Sequence, residues 1–272
     1  MMHFMGDNMK KFLITSLASV VLASGSALAA DISAPLPYKA PPPPPPTWTG
    51  CYIGGGGGYG MWNQDEFDVS PAGAQLTASN TAGGRGWFGQ GQAGCDYQFS
   101  LPLGFWTPNV VIGAFGDFEG GSIRGTNTAG LGVGSENEPS AWAVGGRAGL
   151  LVTPRVLTYF DGGFTQARFD QINYGGLVPP FAPTGNSLAA QTYNGWFIGT
   201  GFEYALDFLP IPGLFWKTEY RYSQFDTVSV PFIVTATGVP TGFTQNSTIY
   251  TQMISTEFVW RFNWAGPVSA GY

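Results

Sequence analysis

The sequence predicts an all-β fold: an eight-stranded antiparallel up-and-down transmembrane β-barrel with short periplasmic turns and long extracellular loops. Three observations predict it. Apolar and polar residues alternate with period two over eight segments, each near the ~9 to 11 residues that a tilted membrane strand requires. The connections between those segments alternate long and short. Only 10% of the 272 residues are charged, while 15% are aromatic and 41 are glycine. Soluble domains average about 25% charged residues, so something other than water covers much of this chain.

The N-terminus is read apart from the fold. From Met9, which reads as the functional start, come Lys10 and Lys11, an apolar stretch and then Ala27-Leu28-Ala29 before Ala30. That is the pattern of an export signal with a small-x-small cleavage site, and its apolar core is shorter than the ~20 residues of a spanning helix. Residues 1–29 are therefore assigned to a signal peptide. Residues 30–47 follow as a Pro-rich periplasmic arm, whose six consecutive prolines at 41–46 favour an extended polyproline II spacer. The barrel is expected over 48–272. Cleavage after Ala29 leaves 243 residues with a net charge near −7, and such acidity argues against nucleic acid as a partner, because phosphates demand a basic surface.

The predicted strands are 50–62, 85–99, 109–120, 140–153, 156–168, 193–206, 214–225 and 249–262. Long stretches rich in Gly, Thr, Asn and Pro follow the odd-numbered ones, at 63–84, 121–139, 169–192 and 226–248, whereas the even-numbered ones end in short turns. An outer-membrane barrel has this asymmetry, and an even strand count returns both ends to the periplasm.

Successive strand side chains point to opposite sides, so each strand has two addresses. One face carries Trp87, Tyr97, Ile112, Phe118, Trp142, Val144, Leu150, Phe160, Phe164, Trp196, Ile198, Phe202, Trp216, Tyr220, Ile254, Phe258, Trp260 and Phe262, and is assigned to outer-membrane lipid. The other carries Gln90, Gln92, Asp96, Asp117, Glu119, Arg147, Asp161, Glu203, Lys217, Glu219, Arg221, Glu257 and Arg261. A charge there would cost several kcal/mol in hydrocarbon, so this face must line a polar lumen.

Short turns also set register. A turn centred on Pro154 places Arg147 opposite Asp161, and one centred on Pro210 places Glu203 opposite Lys217, so both couples are expected to form ion pairs that knit the lumen. Gly54, Gly56, Gly58 and Gly60 form a lumen stripe expected to make room for long side chains from the opposite wall. Cys51 and Cys95 are symmetric about residue 73 in the first long loop, near the periplasmic ends of adjacent strands. They are read either as a cross-strand disulfide, which an oxidising periplasm permits, or as two free thiols.

No cofactor or metal is predicted, and the chain is not expected to be an enzyme. Gly89-x-Gly91-x-x-Gly94 has dinucleotide-motif spacing but lies within a strand, without the following helix that binds the pyrophosphate. The single histidine, His3, precedes the cleavage site, so the exported chain cannot build a Ser-His or Asp-His site. Two thiols without a histidine make a poor metal site.

"AADISAPLPYKAPPPPPPTWTGCYIGGGGGYG", "GWFIGTGFEYAL" at 195–206 and the closing "EFVWRFNWAGPVSAGY" resemble the alphaproteobacterial outer-membrane immunogenic proteins. These are small porin-family barrels related to the transmembrane domain of OmpA, and the likeness covers roughly residues 47–272. It implies an eight-stranded barrel exposed at the surface of the bacterial outer membrane. Phe258, Trp260 and Phe262 resemble the C-terminal signal read by the barrel assembly machinery, although ten residues follow Phe262 here.

Three functions fit these readings. The first is a structural, surface-exposed barrel whose lumen is filled by polar and charged side chains. The second is a small porin for low-mass solutes. The third is an adhesin or ligand-binding protein using the apolar loop pieces at 174–183 and 228–240.

Overall fold

A strand's backbone donors and acceptors must all be satisfied inside a bilayer, and closing the sheet into a ring does this without leaving an edge. The computed structural model describes residues 47–130 and 132–262. The signal-peptide assignment, the arm up to residue 46 and the chain after Phe262 lie outside the described residues. Eleven strands appear in chain order: β1 (Gly50–Val69), β2 (Asn80–Ser100), β3 (Asn109–Ala129), β4 (Gly132–Thr153), β5 (Val156–Phe169), β6 (Ile172–Gly175), β7 (Pro183–Leu188), β8 (Gln191–Ala205), β9 (Leu214–Phe225), β10 (Val228–Val234) and β11 (Pro240–Phe262).

Eight of them close the ring in the order β1-β2-β3-β4-β5-β8-β9-β11, with β11 pairing back onto β1. All neighbours are antiparallel, and no helix occurs among the described residues. The remaining three are continuations of ring strands. β5 passes through Asp170 and Gln171 into β6, β7 passes through Ala189 and Ala190 into β8, and β9 passes through Asp226 and Thr227 into β10. Above these breaks the sheet continues as β4-β6-β7-β10-β11, so the ring stays closed beyond the membrane.

The expected long loops are therefore corrected in extent. Most of 121–139 is strand, and much of 63–84, 169–192 and 226–248 is too. The apolar residues of 228–240 are divided between two sides: Val230 and Phe232 of β10 are buried inside the upper ring, while Val234 and Val239 are exposed at its tip. The ladder runs on because interior apolar packing and paired backbone are available above the lipid, while the outward positions turn to water with Thr, Asn, Ser and Asp.

The residues assigned to the lipid side, among them Trp87, Tyr97, Phe118, Phe160, Ile198 and Phe258, are exposed on the outer wall. Tyr59, Trp87, Trp142, Phe164, Trp196 and Tyr222 ring the extracellular border of the apolar band. Tyr97, Tyr204, Trp216 and Trp260 ring the periplasmic border, as aromatic girdles do. Cys51 and Cys95 face each other directly across β1 and β2 on this outer side, and the structure joins them by a disulfide.

Candidate functional site

The lumen is the candidate site, and it is built in layers. At its periplasmic mouth Trp48 folds under the barrel and is fully buried. Its indole N–H donates to the Pro154 carbonyl at 3.2 Å, and its ring packs 4.8 Å from that of Phe215. Tyr52, Val111, Leu157, Phe215 and Val259 complete this apolar floor. No sequence signal singles out Trp48, which at the foot of the Pro-rich arm marks only the expected start of the barrel.

Above the floor sits a closed quartet of two carboxylates and two guanidiniums. Arg147 donates to Asp96 through both Nε, at 2.9 Å, and Nη2, and to Glu203 through Nη1 at 3.2 Å. Arg261 donates to the same two carboxylates, at 2.6 Å to Asp96 and at 2.7 and 3.0 Å to Glu203, and also to the Trp48 carbonyl. Two positive and two negative charges cancel, which is the condition under which buried charges are tolerable. Arg147 lies over the rings of Tyr52 and Tyr159, and Arg261 over those of Trp48, Tyr52 and Phe215. These cation–π contacts fix both planes.

A second group follows. Lys217 contacts Glu219 at 2.8 Å and Glu257 at 3.4 Å and donates to Gln92 at 3.0 Å. Arg221 binds Asp117 at 2.8 and 3.1 Å, Glu219 at 2.8 Å and Glu119 at 3.6 Å. Tyr159 donates its hydroxyl proton to Glu219 at 2.8 Å. Asp161 is buried nearby with neither carboxylate oxygen hydrogen-bonded to a described residue.

All ten expected charged residues thus face the lumen, but not in the expected couples. The register is as anticipated, with Arg147 opposite Asp161 and Glu203 opposite Lys217. Among the described residues no ion pair joins either couple. The quartet draws on β2, β4, β8 and β11, every second strand of the ring, while the second group is centred on β3, β5 and β9. In a tilted, staggered barrel inward side chains layer by alternate strands. Arg147 and Arg261 therefore meet carboxylates two strands away in preference to a direct neighbour, whereas Arg221 binds Glu219 of its own strand and Asp117 of β3, and Lys217 reaches its direct cross-strand partner Glu257.

The glycine stripe is corrected in the same way. A Cβ on Gly54 would meet Gln92 at 3.1 Å, on Gly56 the Glu257 side chain at 2.9 Å, and on Gly58 the Phe88 ring at 2.5 Å. At these three positions side chains from the adjoining strands, rather than from the opposite wall, fill that space, and at Gly60 an added Cβ would meet Ile123 of β3 at 2.9 Å and Met253 of β11 at 3.2 Å. Gly113 and Gly199 do the same for Asp96 and Asp161, whose carboxylates would lie 2.0 and 2.2 Å from an added Cβ.

Above the charges comes an apolar belt, with Trp62, Phe88, Ile123, Phe169, Tyr193 and Phe225 in one buried cluster. Beside Asp117, Glu119 and Glu138 a cavity of about 10 Å³ remains, room for about one water. A last polar cluster lies beyond the aromatic border, outside the lipid. Asn127 donates to Glu66 at 2.5 Å and to Glu136 at 3.2 Å, and accepts from the Tyr174 hydroxyl at 2.7 Å. With its amide nitrogen turned toward Glu136, Gln64 donates to both carboxylate oxygens, at 2.9 and 2.6 Å. Burial pushes the Glu66 carboxyl up to about 7. It pushes Glu136 up to about 8, with the neighbouring Glu66 adding to the rise.

At the end of β11, Phe258 and Trp260 are exposed on the lipid side, and the Trp260 and Phe262 rings meet at 4.5 Å. The 174–183 segment presents exposed Leu177, Val178 and Phe181 at the tip between β6 and β7.

A family model described as the outer membrane protein beta-barrel domain matches residues 15–262. The 31 kDa outer-membrane immunogenic proteins of Brucella melitensis biotype 1 and Brucella suis biovar 1 are each 29% identical to this chain over 229 residues. Those matches span 79% of this chain and 87% of each relative. Among solved structures, Neisserial surface protein A aligns at 14% identity with a TM-score of 0.36, over 79% of this chain and 98% of that one.

Proposed function

Because the chain belongs to the outer membrane protein β-barrel domain family and is an outer-membrane protein, we propose that it serves as a structural, surface-exposed barrel closed to solutes. The observation that carries this reading is the filling of the lumen. Trp48, the neutral quartet, the Lys217–Arg221 group and the Trp62–Phe169 belt follow one another along the axis. Such a plug stiffens the wall while leaving the extracellular rim free for display.

Planar-bilayer recording of the purified protein tests this directly. No unitary conductance steps are expected at neutral pH. Steady channels would instead favour a small porin, and an excess of carboxylates over Lys217 and Arg221 in the second group would then make the pore cation-selective. The exposed Leu177, Val178 and Phe181 support a further reading, recognition of a partner by the β6–β7 tip. Cell adhesion unchanged by trimming 176–182 would speak against it. For biogenesis, we propose that the outward aromatics Phe258, Trp260 and Phe262 of β11 are read by the assembly machinery.

A further inference from the structure

Eight lysines and arginines fall among the described residues. Arg147, Lys217, Arg221 and Arg261 point into the lumen, and Arg155 sits in a periplasmic turn beside Asp207. Arg85, Arg124 and Arg168 remain, all exposed on the outer wall.

Arg85 of β2 and Arg124 of β3 are direct cross-strand partners. Their Cβ atoms on one face of the sheet are then ~5 Å apart, and like charges so placed destabilise a strand pair. None of the ion pairs among the described residues includes either arginine. Of the carboxylates on the outer wall, Asp65 accepts from Thr81 at 2.7 Å, Asp170 from Asn137 at 2.9 Å, and Asp226 lies on the far side of the ring at the end of β9. Two cross-strand arginines on this wall are therefore without an ion-pair partner among the described residues.

What lies beneath them defines the shape of the missing partner. Descending β2 from Arg85 come Trp87, 75% exposed, then Gly89 and Gly91. Descending β3 from Arg124 come Ser122, Gly120 and Phe118, each opposite its β2 counterpart. On the other side Gly57 and Gly55 of β1 lie opposite Gly89 and Gly91. A Cβ at Gly91 would meet nothing within 4 Å, and one at Gly55 or Gly89 nothing closer than 3.8 Å. The lipid-facing wall thus carries a shallow trough along Gly55, Gly89 and Gly91 under the two arginines, bordered by Trp87 and by Phe118, whose ring would lie 3.6 Å from a Cβ on Gly120. Trp87 is itself braced by Tyr59, with ring centroids 5.0 Å apart.

We propose that this wall of β2 and β3 binds a phosphorylated lipid of the outer leaflet, its phosphate held between Arg85 and Arg124 and an acyl chain lying along Gly89 and Gly91. The paired forks suit the oxygens of a phosphate, which accept parallel N–H bonds. Their height, one rung above the girdle tryptophan, is where outer-leaflet phosphates meet water, and the trough below continues the lipid-facing surface. A free anion would use the arginines and leave the trough unused. The site depends on the outer-membrane location alone, so the conductance experiment leaves it untouched.

The test uses the folded protein in detergent, titrated with bisphosphorylated lipid A, dephosphorylated lipid A and inorganic phosphate, with bound lipid counted by native mass spectrometry. Replacing both arginines (R85Q/R124Q) should weaken the phosphorylated lipid by about ten-fold or more, while leaving the dephosphorylated lipid as it was. Gly91→Leu, which fills open space, should weaken both lipids. Arg155→Gln should change neither. Heat-modifiable gel mobility establishes that each variant is folded. Unaltered binding of the phosphorylated lipid by R85Q/R124Q overturns the proposal. So does displacement of the lipid by inorganic phosphate at equal concentration, which assigns the arginines to a free anion.

Discussion

Replacing Arg147 by glutamine attacks the quartet at one corner. Glutamine keeps some polarity and length but removes the charge that, with Arg261, balances Asp96 and Glu203. Both carboxylates are almost wholly buried and would be left on one cation. Breaking a buried pair by removing one partner costs about 3–5 kcal/mol. Arg261 still reaches both acids, so the loss should fall near the lower bound, about 3 kcal/mol. Adding Asp96→Asn restores a one-to-one balance between Arg261 and Glu203, and the double variant should regain about 1 kcal/mol or more relative to R147Q. Urea unfolding in lipid vesicles, followed by tryptophan fluorescence, measures both. An R147Q protein within about 0.5 kcal/mol of wild type, or a double variant whose losses simply add, would refute the quartet as a coupled unit.

Two further predictions follow from groups the quartet leaves out. Asp161 is buried without a hydrogen-bonded partner, so Asp161→Asn should leave stability unchanged or raise it by about 1 kcal/mol in the same assay, whereas a real Arg147–Asp161 pair would make it destabilising. In the extracellular cluster, burial holds the folded carboxyls of Glu66 and Glu136 up at about 7 and about 8, above the ordinary 4.5 of a glutamate in the unfolded chain. The folded state then holds protons that the unfolded chain releases. Stability contributed by the cluster is complete below about pH 4.5 and is lost as pH rises through 7 and 8. Urea midpoints at pH 5, 7 and 9 should fall in that order, and Glu136→Gln should flatten the trend; an equally steep trend in that variant would contradict it.

The membrane half of this fold was legible because its two environments differ so sharply. Each predicted strand alternates outward apolar or glycine positions with inward polar ones, as Trp87, Gly89, Gly91, Ala93, Cys95 and Tyr97 do with Gln90, Gln92, Asp96 and Gln98, and hydrocarbon tolerates no other reading of Arg147 or Glu203. The upper half was not legible. There the outward residues meet water, so Thr, Asn and Ser appear on the outside of strands just as they do in loops, and Val230, Phe232 and Tyr174 looked like loop pieces rather than interior packing. Ion-pair partners were illegible for a different reason. Hairpin symmetry orders neighbours along a ladder, but Arg147 finds Asp96 and Glu203 across the lumen, a relation that only the closure and tilt of the ring create. Trp48 is illegible in the sequence because a residue before the first strand has no alternation to place it.

Three adjoining strands break above the membrane, at Asp170, Ala189 and Asp226, while β1, β2, β3, β4 and β11 run through without interruption. The breaks are bridged by backbone bonds that keep the ladder in step: Asp170 to Asn137, Ala189 to Pro231 and Asp226 to Asn194, at 3.0, 3.1 and 2.7 Å. One side of the rim is thereby a cassette. The exposed tips at 177–182 and 235–239 can lengthen, shorten or change identity while Tyr174, Leu188, Val230 and Phe232 hold the inner wall and the staves below stay locked in the bilayer, so the freedom of this rim lies in its tips.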